Sequence, residues 1–579
     1  MSSHSTGQFI SKMIKTVWLA FLSLPTYLKI IVISLILIGT ISFSISLQLL
    51  NQKMTIEIPK NGGSITEGVI GYPRFVNPLL ATTEADRDLT TVIYSGLMRF
   101  DSNGELIPDL ALDYEISENK LTYTFNLKPD LTWHDDKPLT TTDIVFTVNR
   151  LKDPTLFSPN QIIWQDIKVE AITKETVTFT LSKPIPGFLA MATIGLLPAH
   201  LWQNVDTNNF AFNDLTLRPI GSGPYLVKNI KTDIAGSPTN YSLQSFPNFA
   251  LGQPAITNLN FNFYPTEEAL IEAYTNKKIT SMNSVSPTMA RSLKLTDARI
   301  ITTPLPRVFG FFFNHNKNPI FTQKTVREAL NLVIDKDFIV RDILDGYGLV
   351  LNGPLSPQTK GYVAISSTNL KTEERLIKAR DLLLNDGWSL NETGILTKTI
   401  NGQNLPLRFT ITVPDVPELI LIANQAKDTW QKIGAVVSLE TTPPADLNQN
   451  IIRPRNYDIL LFGLVVGHEA DLYSFWHSSQ RNDPGLNISS YTNPLVDNLL
   501  EKLKNIPSGQ EREKLLNDIQ ITVANDYPAI FMYSPYFIYA APNNVKNLKL
   551  NYLSKSSDRL LDIHKWYINT EQIWPFFVS

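Results

Sequence analysis

The stretch TFNLKPDLTWHDDKPLTTTDIVFTVNRL, Thr124–Leu151, crowds one histidine and three aspartates into its last twenty residues, and its reading decides what kind of molecule this is. Its opening belongs to LTYTFNLK (Leu121–Lys128), apolar at every second residue, the pattern of a half-buried strand. Further on, Thr140 and Asp143 have capping-box spacing, and Ile144, Val145, Val148 and Leu151 follow at helical intervals. The stretch therefore predicts strand, turn and helix. His134, Asp135 and Asp136 fall in the turn. His134 and Asp135 are chain neighbours whose side chains need not converge, and Asp143 and the threonines have a sufficient task at the helix start. The crowding reads as a turn, not as a hydrolytic or metal site.

The rest of the body alternates the same two signals. TVTFTL (Thr176–Leu181) predicts a second half-buried strand. TVREALNLVIDKDFIVRDIL (Thr325–Leu344) predicts one long helix with Val326, Leu330, Val333, Ile334 and Phe338 on its apolar stripe. Glu373–Trp388 predicts a helix stopped by Gly387, and further helices fit Pro417–Ile433, Pro494–Leu503 and Gln510–Asn525. The 37 prolines fall mostly between these elements. The class is mixed α/β.

Composition bounds the function. At 579 residues, with 43% apolar and 18% charged residues, the chain can bury a large interior. Its net charge of −3 and lack of a basic run give no surface for nucleic acid. The absence of cysteine removes disulfides, thiol catalysis, cysteine zinc sites and lipidation of an N-terminal cysteine. Any membrane attachment must be peptide. Ile30–Leu50 supplies it: 21 residues without a charge, about 31 Å as a helix against a bilayer core of ~30 Å. Lys12, Lys15 and Lys29 precede it, so residues 1–29 are expected in the cytoplasm, 30–50 across the membrane and the body outside, as a single-pass protein of the cell membrane. A cleaved signal peptide ending near Ser44-Ile45-Ser46 is the alternative. Asn51–Ser64 reads as a tether.

No enzyme motif emerges. HEADLYSFWH (His468–His477) spaces its histidines nine apart, not four as in H-E-x-x-H, and no G-x-S-x-G elbow or glycine-rich phosphate loop is present. The chain is expected to be no enzyme, with no cofactor and no metal.

The opening stretch also resembles the signature region of the extracellular solute-binding proteins that serve peptide and nickel ABC transporters, family 5, whose pattern runs W-x-D-G-x-P-x-T-A-x-D-V-x-F. Here Asp135-Asp136 and Lys137 depart from the family's aspartate-glycine turn. The resemblance continues in order through Glu67–Ala111, PIGSGPYLVKN (Pro219–Asn229), Phe313–Val340 and NYDILLFGLVVGHEADLYSFWHSSQ (Asn456–Gln480).

It implies a two-lobed, periplasmic-binding-protein-like fold of type II. Residues 54–95, 218–305 and 536–579 would build lobe I, 96–217 an extra subdomain on it, and 306–535 lobe II. A hinged cleft would close around a ligand. By the same resemblance, the ligand would be an oligopeptide gripped through its main chain, and the partners would be ABC permease subunits and the cytoplasmic membrane, the protein being a monomer. The gripping segments would be Ala81, Thr82, Thr83 and Glu84 of LATTE (Leu80–Glu84), and Gly463, Val465, Val466, Gly467 and His468 of GLVVGH (Gly463–His468). The latter could equally be a core strand and its turn. Family members often hold the ligand's amine with an aspartate; His468 stands there instead, leaving the carboxylates to Glu469 and Asp471. Phe475 and Trp476 would line the pocket, and Arg307 and Arg453, with Arg455, are the cations available to a ligand carboxylate. Capture of nickel, a metal chelate or haem, or a sensor or chaperone role at the cell surface, is the alternative.

Overall fold

The computed structural model describes residues 3–185, 187–283, 285–294, 298–366, 370–400, 402–467, 471–506 and 509–574. By internal contacts it falls into two units, one of residues up to Asn61 and from Tyr567 onward, the other Gly62–Trp566. The first unit holds helices Ser3–Leu22 and Thr26–Met54. Thr26–Leu49 is long and apolar enough to cross a membrane. Within the expected tether, Ile56–Lys60 is a strand paired antiparallel with Asn569–Ile573, with Lys60 3.5 Å from Glu571.

In the second unit we label β1 (Ser64–Ile70), α1 (Glu84–Ile93), β2 (Arg299–Pro304), β3 (Arg307–Phe313), β4 (Ile459–Val465), α2 (Leu472–Trp476) and β5 (Ala529–Ala541). The main sheet runs Val436–Thr442, Arg408–Pro414, β4, β3, β5, Ser281–Met282, β1, Asn258–Tyr264, Pro238–Ser245, Tyr225–Thr232. β5 serves both halves of it. Its first part pairs with β3 (Phe309 opposite Tyr533, Phe312 opposite Ala529), and its second part pairs with β2 (Pro304 opposite Tyr536, Arg299 opposite Ala541). Eleven of its thirteen residues are buried and only Pro535 and Tyr536, where the partner changes, are half-buried. The β2–β3 crossing beside it reads Leu305-Pro306, so a proline, which has no N–H to give a ladder, marks each crossing.

The strand signals hold. Thr122–Leu127 buries Tyr123, Phe125 and Leu127, and it pairs antiparallel with Thr176–Leu181, which buries Val177, Phe179 and Leu181. Helices form at Thr372–Asn385, Pro417–Lys432, Pro494–Asn505 and Gln510–Asp526. The long helix expected over 325–344 does not form as one. It stops at Val333, Ile334 turns extended (φ −72°, ψ 122°), and the Asp335 carboxylate caps a new turn by accepting from Phe338 N at 3.0 Å. The apolar stripe continues through the break, which is why periodicity alone hides it.

The turn that opens the chain's signature is structural. The reach-back half of its capping box is present, Thr140 N donating to Asp143 Oδ2 at 2.9 Å, and Asp143 Oδ1 takes Ala199 N at 2.8 Å. His134, read as a residue of a structural turn, pins that turn in place. Its Nδ1 accepts from Gly221 N at 3.3 Å and its Nε2 lies 3.0 Å from Gly223 O, while its backbone N donates to Gly221 O at 2.8 Å. These bonds suit the neutral ring protonated on Nε2, and burial lowers its pKa to about 4. Gly221 and Gly223 in turn lie against the end of α1, where a Cβ would meet Ile93 O at 1.9 Å and Ile93 C at 2.6 Å. The GSGPY motif is thus a close approach between loop and helix end.

One buried cation closes the first half. Arg559 donates to Glu67 of β1 (2.8 and 3.1 Å) and to Asp88 of α1 (2.7 and 2.8 Å), all three at most 1% exposed. Tyr539 of β5 adds a bond to Glu67 at 2.9 Å and Asn283 one to Asp88 at 3.1 Å. Desolvation raises the Glu67 pKa, against the pull of Arg559.

Arg559→Met is expected to cost about 3–5 kcal/mol, because it leaves two buried carboxylates without their cation; urea denaturation at neutral pH measures it. His134→Ala should cost about 2–4 kcal/mol through two lost partners and a cavity. A lowered folded pKa gives stability that is full above the unfolded value of about 6.5 and lost as pH falls toward about 4. The variant's urea midpoint should therefore fall less than that of the parent between pH 7.5 and 5.

Candidate functional site

Two of the features singled out in the sequence, Arg307 and the end of β4, meet where β2 crosses into β3, and Glu84 of a third lies within electrostatic reach. Arg307, the first residue of β3, lies opposite Val465, the last of β4, and Val466 N donates to Pro306 O at 2.9 Å. The Arg307 guanidinium feels both Glu84 and Arg87 of α1. Burial pulls its pKa down from the usual value, the Glu84 carboxylate opposes this and Arg87 adds to it. Its buried Nε has no hydrogen-bond partner among the described residues.

The LATTE segment is held by the start of α1. Thr83 is the N-cap: its hydroxyl accepts from Asp86 N at 3.1 Å and its N–H donates to Asp86 Oδ2 at 3.1 Å. Asp86 Oδ1 also takes Arg74 N and Phe75 N at 2.6 and 2.8 Å, fixing the approach of the chain. Thr82 and Glu84 are left exposed, and Ala81 half-buried.

β4 leads into the GLVVGH segment. It is buried on both faces, Leu461 in one hydrophobic cluster and Leu460 and Leu464 in another. Its partner Arg408–Pro414 reaches only Ile459 and Leu460, so from Leu461 to Val465 its second edge has no strand partner among the described residues. That leaves about 17 Å of open ladder at ~3.4 Å per residue. Val465 is 53% exposed and Val466 is buried. Gly467 takes a left-handed φ of 78°, and its carbonyl accepts from Thr359 Oγ1 at 3.0 Å. Gly463 turns out to serve packing: a Cβ there would lie 2.6 Å from the Phe309 ring, which stacks on Tyr533 (centroids 5.0 Å apart, planes within 2°).

His468 and Glu469 lie outside the described residues. Asp471 caps α2, its carboxylate accepting from Ser474 N at 3.2 Å and Ser474 Oγ at 2.5 Å, and stays exposed. Phe475 and Trp476 do not line an open face. Trp476 is 2% exposed and packs edge-on against Phe531, and Phe475 is 9% exposed in the same cluster, because α2 turns its apolar side inward. Arg453 lies just before the far end of β4, paired with Asp483 at 3.5 Å, and Arg455 is held there by the carbonyls of Arg481 and Gly485 at 3.2 and 2.6 Å. Neither joins Arg307. The crossing also uses residues that no motif singled out: Ser356 and Ser534 hydroxyls, 2.9 Å apart, donate to Leu305 O at 2.9 and 2.7 Å.

Comparison with known proteins follows this geometry. Residues 105–483 match the family model described as bacterial extracellular solute-binding proteins, family 5 Middle. The oligopeptide-binding protein AppA of Bacillus subtilis is 28% identical over 517 residues, 88% of this chain and 92% of AppA. The crystal structure of the ABC transporter substrate-binding protein CtaP of Listeria monocytogenes superposes with a TM-score of 0.73 at 29% identity, over 88% of this chain and all of that one. NikZ of Campylobacter jejuni, solved with Ni(L-His), gives a TM-score of 0.68 at 26% identity over the same shares. The chain thus has the two-lobed fold of these substrate-binding proteins.

Gly463→Ala should destabilise the protein by about 1–3 kcal/mol, the cost of forcing a methyl against a stacked ring. Chemical denaturation of the variant beside its parent measures this, and an unchanged midpoint would show that Phe309 is free to move.

Proposed function

The chain belongs to the bacterial extracellular solute-binding proteins of family 5, and we propose that it captures peptides between two lobes and hands them to an ABC permease without chemical change. The open edge of β4 carries this reading. An extended peptide laid along Leu461–Val465 would complete the ladder and gain main-chain hydrogen bonds whatever its side chains. Glu84 and the exposed Thr82 would face it from the other wall. Arg307 would offer a cation with spare donors. Asp471, with the neighbouring Glu469, remains the proposed amine partner.

The lobes would part at Leu305-Pro306 and Ser534-Pro535, where each crossing lacks a ladder N–H, and closing about those points would shut water out of the cleft. AppA has been solved with a nonapeptide, which supports peptide as the ligand here. The N-terminal helix would hold the body, as a monomer, on the outer face of the cell membrane, since a binding protein that drifts away cannot feed its permease.

Titration calorimetry of the full chain in detergent tests the grip. Tetrapeptides of unrelated sequence should bind with affinities within about tenfold of one another. Methylation of a central backbone nitrogen should weaken binding at least about tenfold, by removing a donor and adding bulk at the ladder. Equal binding of the methylated peptide would remove the main-chain grip. Saturation by a nickel–histidine chelate with no response to any peptide would reassign the cargo.

A further inference from the structure

A cavity of about 580 Å³ opens in the first half of the body between α1 and the segments around Met98–Phe100 and Trp164. Ala81, Tyr94 and Trp164 are among its walls, and Ser95, Arg99 and Asp109 lie at its polar side. These three polar residues are 3%, 7% and 3% exposed.

The hydrogen bonding of these groups is the anomaly. The Arg99 guanidinium donates no hydrogen bond to any described residue; its nearest carboxylate oxygen is Asp109 Oδ2, 3.8 Å from Nη1 and beyond hydrogen-bond length, and the Lys128 ammonium also acts on both groups. Among the described residues Arg99 Nε, Asp109 Oδ1 and Ser95 Oγ are buried without a partner at hydrogen-bond length, although the Ser95 hydroxyl lies close enough to the Asp109 carboxylate to favour its charged form. Burial pushes the Asp109 carboxyl up from its usual range, while Arg99, Ser95 and Lys128 pull it back. Arg559, in the same half, shows how this chain treats a buried guanidinium that only holds the fold: both carboxylates are in contact and its donors are used. A buried charge left open is costly, and native chains keep such groups where something else meets them.

We infer that this cavity is a binding site for a small carboxylate bearing a hydrogen-bond donor on the adjacent carbon, the grouping shared by a free amino acid and by the C-terminal residue of a peptide. The carboxylate takes the Arg99 donors, the neighbouring N–H faces Asp109 and Ser95, and the aromatic walls receive an apolar side chain. The site is separate from the open edge of β4 and does not require that edge to hold a peptide.

Calorimetry of the full chain in detergent with leucine, leucinamide, tetra-alanine and tetra-alanine amide tests it. Expected is saturable binding of leucine or tetra-alanine, weakened at least about 30-fold by Arg99→Gln, as for removal of one partner of a buried charged pair, with leucinamide and tetra-alanine amide barely affected by the substitution. Leucine binding that persists when the chain is saturated with tetra-alanine assigns the cavity to a free amino acid. Competition between them, with both weakened by Arg99→Gln, assigns it to the last residue of a peptide. If neither acid binds, or Arg99→Gln binds them as the parent does, the cavity holds only water and the inference falls. Arg99→Met provides the second measurement. Without ligand its thermal midpoint should equal or exceed that of the parent, and a large drop would make Arg99 a structural residue and overturn the assignment.

Discussion

The continuous strand Ala529–Ala541 is hydrogen-bonded to β3 over its first half and to β2 over its second, so one backbone runs through the interiors of both halves of the sheet. Its side chains alternate between faces that are covered on both sides, and a slip of one residue would turn every buried group of two cores the wrong way at once. Register is therefore stiff along the strand and soft at one point. At Ser534-Pro535 the proline gives no N–H, and two serine hydroxyls converge on Leu305 O to hold the crossing together. The proposed parting of the two lobes would need a joint of this kind, which could bend by changing a few backbone angles while both cores stay packed.

Around that strand the buried charges divide by whether they are answered. Arg559 gathers Glu67, Asp88 and, through Glu67, Tyr539, and so fastens the C-terminal part of the body to β1 and α1. His134 stays neutral between two glycines and fastens the signature turn to the end of α1. Among the described residues Arg99, which borders the cavity beside α1, and Arg307 each keep a buried Nε that is not answered in this way.

Much of the local architecture was legible. Alternation in LTYTFNLK and TVTFTL, the Thr140/Asp143 spacing, and the apolar stripes of the later helices each need only a few neighbouring residues, and each produced the element it predicts. The break at Ile334-Asp335 escaped because an aspartate can cap a turn in the middle of an unbroken stripe. In the candidate site, LATTE and the end of β4 were singled out through their motifs, and Arg307 only as one of the available cations. Phe475 and Trp476 misled, since an aromatic pair looks the same in a sequence whether its helix faces a cleft or a core. Arg99, Asp109, Ser356, Ser534 and Arg559 gave no sign, being ordinary residues in ordinary local surroundings.

The amino-acid sequence by itself determined the class of fold, the apolar N-terminal helix, the family and the order of its elements, because these rest on composition, on periodicity over a turn or a few strand residues, and on motifs read in line. Only the tertiary structure decided which side chains share a space. Arg559 and Glu67 are 492 positions apart, and the hydroxyls of Ser356 and Ser534 178. No local pattern records such a meeting; it exists once two hydrophobic interiors have closed around one strand and brought distant polar groups to where they must be satisfied or left open.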